Sequence, residues 1–215
     1  MLNKAIFISV KKKRNQIFIK LLQQVNNDIN IIQHNKQKLF DYVISCKSYK
    51  IIDEIFNNLN IDSKFNDILN SFFRVSCEFK IPSIILLQKI YDFDKAHDQL
   101  IDLNKTLSDG KTYLTSFKSN IKNIREVVKF FIDNGSDPNI PDEGEVYQFE
   151  YAISIHSNEY IFALVESGKI DLTKKIPNKE TDNKNTKSKY TTYLHLLSRE
   201  KNIEIMKYLL DKKND

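Results

Sequence analysis

The fold is decided between Ile124 and Ile140, where the chain reads IREVVKFFIDNGSDPNI. The apolar residues of this stretch recur with helical spacing and its charged residues fill the opposite face, which predicts a short amphipathic helix. Gly135 stands where a left-handed residue would close that helix, and Ser136 to Asn139 then supply turn residues. The stretch therefore predicts a helix that ends at Gly135.

The same helix ending returns further along the chain. Between Phe162 and Leu172 the chain reads FALVESGKIDL, in which an apolar helix end is followed by Gly168 and a short extended run. Gly168 lies 33 residues after Gly135. A structural signal that recurs at a spacing of this size is typical of repeat proteins, so we expect internal repeats.

Two further stretches carry a second repeated pattern. Residues Asp109–Thr115 read DGKTYLT, and residues Thr191–Leu197 read TTYLHLL. Both resemble the signature of the ankyrin repeat family, in which a turn precedes Thr-Pro-Leu-His-x-Ala, two helices and then Gly-Ala-Asp. Tyr193 stands in place of the Pro, and Leu197 stands in place of the small Ala. The resemblance implies helix pairs joined by turn fingers, and it implies a hydrogen bond between the His195 ring and turn backbone.

The repeat can be followed through the chain by the leading apolar residue of each first helix. These residues are Ile6, Leu39, Phe72, Leu114, Phe149 and Leu194, and successive members are 33, 33, 42, 35 and 45 residues apart. An apolar pair of the second helix follows each of them: Leu21-Leu22, Ile55-Phe56, Leu86-Leu87, Phe130-Phe131, Ala163-Leu164 and Leu209-Leu210. The resemblance thus covers residues 1–215 and implies an all-α ankyrin-repeat solenoid of about six helix-turn-helix repeats, divergent over 1–108 and clearer over 109–215.

Composition and charge fit such a chain. Hydrophobic residues make up 41% of the sequence, while residues 1–60 carry a net charge of +6 and residues 121–180 a net charge of −4. No apolar run is long enough to span a membrane. Cys46 and Cys77 are expected to be small buried side chains, and nothing suggests an oxidising compartment. These features predict an intracellular protein, in the cytoplasm or the nucleus.

One segment differs from the rest of the chain in its amino-acid composition. Residues 173–190 read TKKIPNKETDNKNTKSKY, which is polar throughout most of its length and carries a net charge of +4. Such a composition cannot bury much apolar surface. The segment is therefore predicted to be a flexible loop that extends the turn between the last two repeats.

The sequence contains only weak matches to motifs for phosphate binding, metal binding or catalysis. Gly110-Lys111-Thr112 is similar to the end of a phosphate-binding loop, but Lys105 occupies the position where that motif needs Gly, so a repeat turn is the better interpretation. The four His residues do not have the spacing of a zinc site. No nucleophile has a plausible base on the same repeat. The sequence therefore predicts no catalytic residues, no metal site, no cofactor and no enzymatic activity.

The resemblance to ankyrin proteins implies a module or scaffold that binds another protein through its concave face and turn fingers. The alternative function is binding of nucleic acid or another anion by the basic N-terminal repeats. The residues concerned are Lys11, Lys12, Lys13 and Arg14. A solvated turn, a localisation or anion-binding patch, and a direct nucleic-acid contact are all compatible with this cluster.

A partner site is predicted in the fifth repeat. Acidic residues here alternate with aromatic ones, and Tyr147 and Tyr151 are assigned to the exposed face because Phe149 takes the core position. The candidate partner contacts are Asp142, Glu143, Glu145, Tyr147 and Tyr151, together with Lys184 and Lys187 of the lysine-rich loop. The hypothesis is a basic partner bound by the acidic residues. The alternative is that these acidic residues and the lysines attract each other in the free protein.

Overall fold

The computed structural model describes residues 82–97, 101–117, 121–177 and 190–212, and upstream of these residues 14–24 and the positions 5, 8, 9, 12, 53, 69, 70, 72–74, 76 and 77. The chain forms two compact units, Met1–Asp102 and Leu103–Asp215. Several predicted features lie outside the described residues: Ile6, Leu39, Cys46, Ile55-Phe56, Lys11, Lys13, Lys184 and Lys187.

The unit Met1–Asp102 contains helix α1 (Asn15–Gln24) and helix α2 (Ile84–Ala96). Helix α2 begins after Ser83, whose hydroxyl accepts a hydrogen bond from the Leu86 amide at 3.4 Å. Its buried residues are Leu86, Leu87, Ile90, Tyr91 and Asp94. The Tyr91 ring lies 6.3 Å from the Phe73 ring between centroids, and the Asp94 carboxylate accepts a hydrogen bond from the Ile101 amide at 3.0 Å. Cys77 is a buried cysteine, as predicted.

The unit Leu103–Asp215 is mostly helical. It contains a 3-10 helix (Leu114–Ser116), the helices α3 (Ile124–Asp133), α4 (Gln148–Ser154), α5 (Asn158–Glu166), α6 (Tyr193–Arg199) and α7 (Ile203–Lys212), and the strands β1 (Ile176–Pro177) and β2 (Tyr190–Thr191). The helical content of the described residues is compatible with the all-α class that the sequence predicted.

The helices of this unit pack in two rows. In one row the 3-10 helix contacts α4, and α4 contacts α6; in the other row α3 contacts α5, and α5 contacts α7. The rows are joined because α4 also packs on α5 and α6 on α7. Phe117, Phe131, Phe149 and Tyr160 are at most 1% exposed. The unit is thus built from successive helical pairs with large aromatic side chains in its core.

The predicted helix endings at Gly135 and Gly168 are confirmed. Gly135 has φ +100° and Gly168 has φ +67°, which is the left-handed region. The Ser136 amide donates to the Phe131 carbonyl at 2.9 Å, the hydrogen bond that closes a helix in the Schellman motif. The sequence therefore places these two helix ends correctly.

The structure closes two further helices in the same way without glycine. His156 and Lys201 have φ +52° and +54°, a region that is uncommon for residues other than glycine. After His156 the Ser157 amide donates to the Ala152 carbonyl at 3.2 Å, and after Lys201 the Asn202 amide donates to the carbonyl of Leu197 at 2.9 Å. The α4–α5 and α6–α7 pairs therefore share one turn geometry, which fixes the equivalence of their residues.

Substitution of Gly135 by Ala tests the helix ending. We expect Gly135→Ala to lower the free energy of unfolding by about 1–2 kcal/mol, because an L residue is strained at a left-handed backbone position. No described heavy atom lies within 4 Å of the added Cβ, so steric overlap contributes nothing. Urea denaturation followed by circular dichroism measures the change. Gly168→Ala should show a similar loss, and an unchanged stability in both variants would contradict the assignment.

The first helix of the fourth predicted repeat is shorter than expected. Among the described residues 109–117 the helical element is the 3-10 helix Leu114–Ser116, and Phe117 is extended. The Thr112 amide donates to the Thr115 hydroxyl at 2.9 Å, and the Thr115 amide donates to the hydroxyl of Thr112 at 3.2 Å. The second of these is a bond of the N-cap type, so Thr112 marks the start of the short element.

The two ends of the segment 173–190 are paired with each other. Its base is an antiparallel ladder in which Ile176 pairs with Thr191 and Pro177 with Tyr190. Ile176 is 1% exposed and acts as an apolar anchor. Residues 178–189, between the two strands, lie outside the described residues.

Candidate partner-binding surface

The acidic finger, defined as residues 142–147, is a tight turn held by one carboxylate. Asp142 Oδ1 accepts hydrogen bonds from the amides of Gly144 and Val146, both at 2.9 Å. The Asp142 amide donates to the Val146 carbonyl at 3.0 Å. The Asp142 side chain, which the sequence proposed as a partner contact, therefore shapes the finger.

The finger is also fixed to its neighbour. The Glu143 amide donates to the Gly110 carbonyl at 2.8 Å, which links the acidic finger to the preceding Asp109-Gly110 turn. The side chains of Glu143 and Glu145 are exposed. Glu145 has φ +56°, an uncommon backbone conformation for its residue type. The two carboxylates thus lie at the surface on a backbone that is hydrogen-bonded on both sides.

Tyr147 is half-buried, and a lysine ammonium group lies over its ring. Lys174 Nζ lies 4.0 Å from the ring centroid, which is cation–π distance. The same ammonium donates to the Asn139 carbonyl at 3.2 Å. A lysine from the base of the 173–190 segment therefore contacts the Tyr147 ring of the acidic finger.

The side chain of Tyr151 is held in place by a hydrogen bond of its hydroxyl group. It is half-buried, and its hydroxyl donates to the Phe117 carbonyl. Burial raises the pKa of Tyr151 above its ordinary value. Lys111 Nζ lies 6.0 Å from the ring centroid. The hydroxyl of Tyr151 thus holds α4 against Phe117, and only part of the side chain is exposed.

Two asparagines bridge successive helical pairs. Asn104 Oδ1 accepts from the Asp137 amide at 2.7 Å and its Nδ2 donates to the Gly135 carbonyl at 3.2 Å. Asn139 Oδ1 accepts from the Asp171 amide at 3.0 Å and its Nδ2 donates to the Lys169 carbonyl at 2.7 Å. We call these two side chains the asparagine clasps. Each clasp sets the spacing of two neighbouring turns.

Sequence reasoning missed the asparagine clasps. The available signal is the pattern Asp-x-Asn or Asp-x-Thr, which occurs after residue 100 at three places: 102–104, 137–139 and 171–173. In the second copy the Asp137 carboxylate accepts from the Asn139 amide at 2.8 Å, and in the third copy the Asp171 carboxylate accepts from the Thr173 amide at 3.0 Å. The Thr173 bonds lower the pKa of Asp171.

His195, which corresponds to the histidine of the ankyrin signature, is hydrogen-bonded to the residue that caps helix α6. Thr192 accepts a hydrogen bond from the His195 amide at 3.4 Å, which caps helix α6, and its hydroxyl is 2.7 Å from His195 Nδ1. The ring therefore bonds a side chain of the turn, whereas the resemblance implied backbone. His195 has a structural position at the start of α6.

The basic cluster belongs to the other unit. The side chains of Lys12 and Arg14 are exposed just before helix α1. The Lys12 amide donates to the Ile8 carbonyl at 3.0 Å and the Arg14 amide to the Ser9 carbonyl at 2.8 Å. These bonds place both residues in a turn, and the two cationic groups face solvent there.

Comparison with family models, with curated proteins and with solved structures finds no match for this chain. In the described parts of the chain, no three His, Cys, Asp or Glu side chains come together in a group that could hold a metal ion. Among the same residues, no helix has the length and apolar character needed to cross a membrane.

Proposed function

We propose that this chain is an ankyrin-type repeat protein and that it works as a non-enzymatic module that binds another protein. Three features of the unit Leu103–Asp215 support the proposal: the two rows of packed helices, the repeated helix endings, and the asparagine clasps that link neighbouring turns. Repeat stacks of this kind present an extended surface, which suits recognition of a partner protein.

The acidic finger is the proposed contact, and the observation that carries this choice is its rigidity. Glu143 and Glu145 are exposed on a turn fixed by Asp142 and by the Gly110 carbonyl. Carboxylates held on a rigid backbone lose little conformational entropy when they meet a partner. The finger therefore fits a partner whose docking surface is basic.

Charge reversal of the finger tests this function once a partner has been isolated by pull-down from the source organism. The double variant Glu143→Lys/Glu145→Lys should slow association at low salt by about tenfold and weaken its salt dependence, because long-range attraction is reversed. The melting temperature should not change, since both side chains are exposed. Stopped-flow or surface-binding kinetics at several salt concentrations measure the effect.

The matched control is Glu126→Lys/Asp211→Lys. Both residues are exposed and the change in net charge is the same, but they lie on α3 and α7, away from the finger. If the partner is bound through the finger, the control variant should slow association much less than Glu143→Lys/Glu145→Lys does. Equal losses in the two double variants would point to net charge alone and would reject the finger as the contact.

The second candidate function rests on the solvent exposure of Lys12 and Arg14. Binding of nucleic acid through Lys11 to Arg14 should weaken steeply as salt rises. Neutralising the four basic residues together should then abolish binding. Loss of binding in that variant, with unchanged binding in Glu143→Lys/Glu145→Lys, would favour this function over the proposed one.

A further inference from the structure

The end of helix α3 contains a chemically reactive pair of residues, Asn134 and Gly135. It is the single Asn-Gly pair in the 215-residue sequence. In such a pair the backbone amide nitrogen of the glycine can attack the side-chain carbonyl carbon of the asparagine, because glycine has no side chain to hinder the approach. Gly135 is exposed and Asn134 is half-buried, so water and base can reach the pair.

The products of this reaction follow from the bonds that form and break. The Gly135 amide loses its proton to a base, its nitrogen bonds to Cγ of Asn134, and the side-chain amide leaves as ammonia. Water then opens the resulting five-membered imide at one of its two carbonyl carbons. Opening at Cγ leaves aspartate at position 134. Opening at the backbone carbonyl leaves isoaspartate, in which the main chain runs through the former side chain.

Hydrogen bonds hold both reacting groups of the pair. The Gly135 amide donates to the Ile132 carbonyl at 3.2 Å. Nδ2 of Asn134 donates to the Phe130 carbonyl at 2.8 Å. The backbone of Asn134 has ψ 11°, at which the Gly135 nitrogen is turned away from the Asn134 Cβ. Ring closure therefore requires that this helix end opens first.

The Asn104 clasp holds the other side of Gly135. Nδ2 of Asn104 donates to the Gly135 carbonyl at 3.2 Å, and its Oδ1 accepts from the Asp137 amide at 2.7 Å. Between these two groups, the Ser136 amide donates to the Phe131 carbonyl at 2.9 Å. A side chain 30 positions before Asn134 in the sequence thus fixes the turn that the reaction must distort.

We propose that Asn134 is a site of spontaneous deamidation and that the Asn104 clasp limits its rate in the folded chain. The reaction proceeds from the locally opened turn, whose population depends on the hydrogen bonds that must break. Loss of the clasp raises that population and, with it, the rate of deamidation. The proposal does not depend on partner binding by the acidic finger.

Deamidation should weaken the end of α3. Aspartate at position 134 cannot donate to the Phe130 carbonyl, and its negative charge lies at the negative end of the helix dipole. Isoaspartate adds one methylene group to the main chain, which displaces the Ser136 amide from the Phe131 carbonyl. The variant Asn134→Asp reproduces the first product and should show a lower midpoint of urea denaturation than the wild type. An unchanged midpoint would contradict this consequence.

Mass spectrometry on the full chain tests the site and the clasp. The wild-type protein is incubated at mildly alkaline pH in buffer and in guanidinium chloride, and peptide fragmentation locates the exchange of amide for acid. Deamidation at Asn134 should be at least about tenfold slower in buffer than in denaturant, because local opening is rare. Asn104→Ala should speed the reaction in buffer by about three- to tenfold, the factor expected when one or two hydrogen bonds are lost. It should leave the rate in denaturant unchanged.

The matched control is Asn139→Ala, which removes the other asparagine clasp. Asn139 bonds the Asp171 amide and the Lys169 carbonyl, so its loss loosens the following turn. The control should lower the stability of the unit to a similar extent. It should nevertheless leave the deamidation rate at Asn134 near that of the wild type, because the bonds around Gly135 remain.

Asn104→Asp replaces Asn104→Ala if the latter fails to fold. It keeps an acceptor for the Asp137 amide and removes the donor to the Gly135 carbonyl. Deamidation at Asn134 in buffer should again be faster than in the wild type.

The proposal fails on any of three results. The first is an Asn134 that stays intact in guanidinium chloride, which would show that the pair is not reactive. The second is an equal rate in buffer and in denaturant, which would show that the hydrogen bonds give no protection. The third is equal acceleration by the substitutions at Asn104 and Asn139, which would show that overall stability sets the rate.

Discussion

Truncation of Phe131 to Ala should lower the free energy of unfolding of the Leu103–Asp215 unit by about 3–5 kcal/mol. Phe131 is fully buried, with the rings of Tyr113, Phe117 and Phe130 at centroid distances of 5.7, 5.3 and 5.4 Å. Removal of this ring leaves a cavity among three other aromatic side chains. A close-packed core cannot refill such a cavity without strain, so both the transfer energy and the packing are lost.

The control for this truncation is Phe162→Ala on the neighbouring helix α5. Phe162 is half-buried, and its ring meets Tyr208 edge-on at 4.9 Å. Its truncation should cost about 1–2 kcal/mol, because less apolar area leaves water on folding. Urea denaturation followed by circular dichroism compares the two variants. Equal losses, or a loss below about 1.5 kcal/mol for Phe131→Ala, would show that the aromatic cluster is not the centre of this core.

The parts of the fold that could be predicted are those encoded locally. Helix α3 follows from its periodic apolar residues, and Val127, Val128 and Phe131 are all fully buried as the pattern indicates. Gly135 and Gly168 mark helix ends because few other residues accept a left-handed backbone. In both cases, the information needed lies within a few residues of the feature.

The features that were missed depend on contacts between distant residues. Leu194 matches Leu114 and Phe149 in the sequence pattern, yet it is 42% exposed, because burial needs a neighbour and not only an apolar side chain. Asn104 and Asn139 read as ordinary turn residues until the next turn is brought within hydrogen-bonding distance. A short-range sequence pattern does not show which two turns of the chain are neighbours in the folded structure.

The candidate site shows the same difference between features that are encoded locally and features that depend on contacts between distant residues. An acidic and aromatic run was visible in the sequence, but the role of each residue was not. Asp142 bonds its own turn and Tyr151 bonds the Phe117 carbonyl, so both are committed to the structure. Glu143 and Glu145 are the members of this run whose side chains remain exposed. These two carboxylates are therefore the ones that our proposal uses as the contact.

Alkaline pH should destabilise this unit through Tyr160. Tyr160 is completely buried, and its hydroxyl donates to the Leu114 carbonyl at 2.7 Å, a bond between two helical pairs. Burial raises the pKa of Tyr160 well above its ordinary value of 10.0. The unfolded chain therefore releases this proton near pH 10, whereas the folded chain retains it. The stability from this group is complete below that pH and is lost as pH rises above it, by about 1.4 kcal/mol per pH unit.

The variant Tyr160→Phe isolates this effect, because Phe has no proton to release. At pH 8 the variant should be less stable than the wild type by about 1–3 kcal/mol, since the buried Leu114 carbonyl loses its donor. Above pH 10 the stability of the variant should fall less steeply, although burial also raises the pKa of Tyr151 and Tyr193. Urea denaturation at several pH values between 8 and 11 should show the two stabilities converging. A parallel decline would mean that Tyr160 ionises in the folded state as readily as in the unfolded chain, which its burial and its hydrogen bond to Leu114 do not allow.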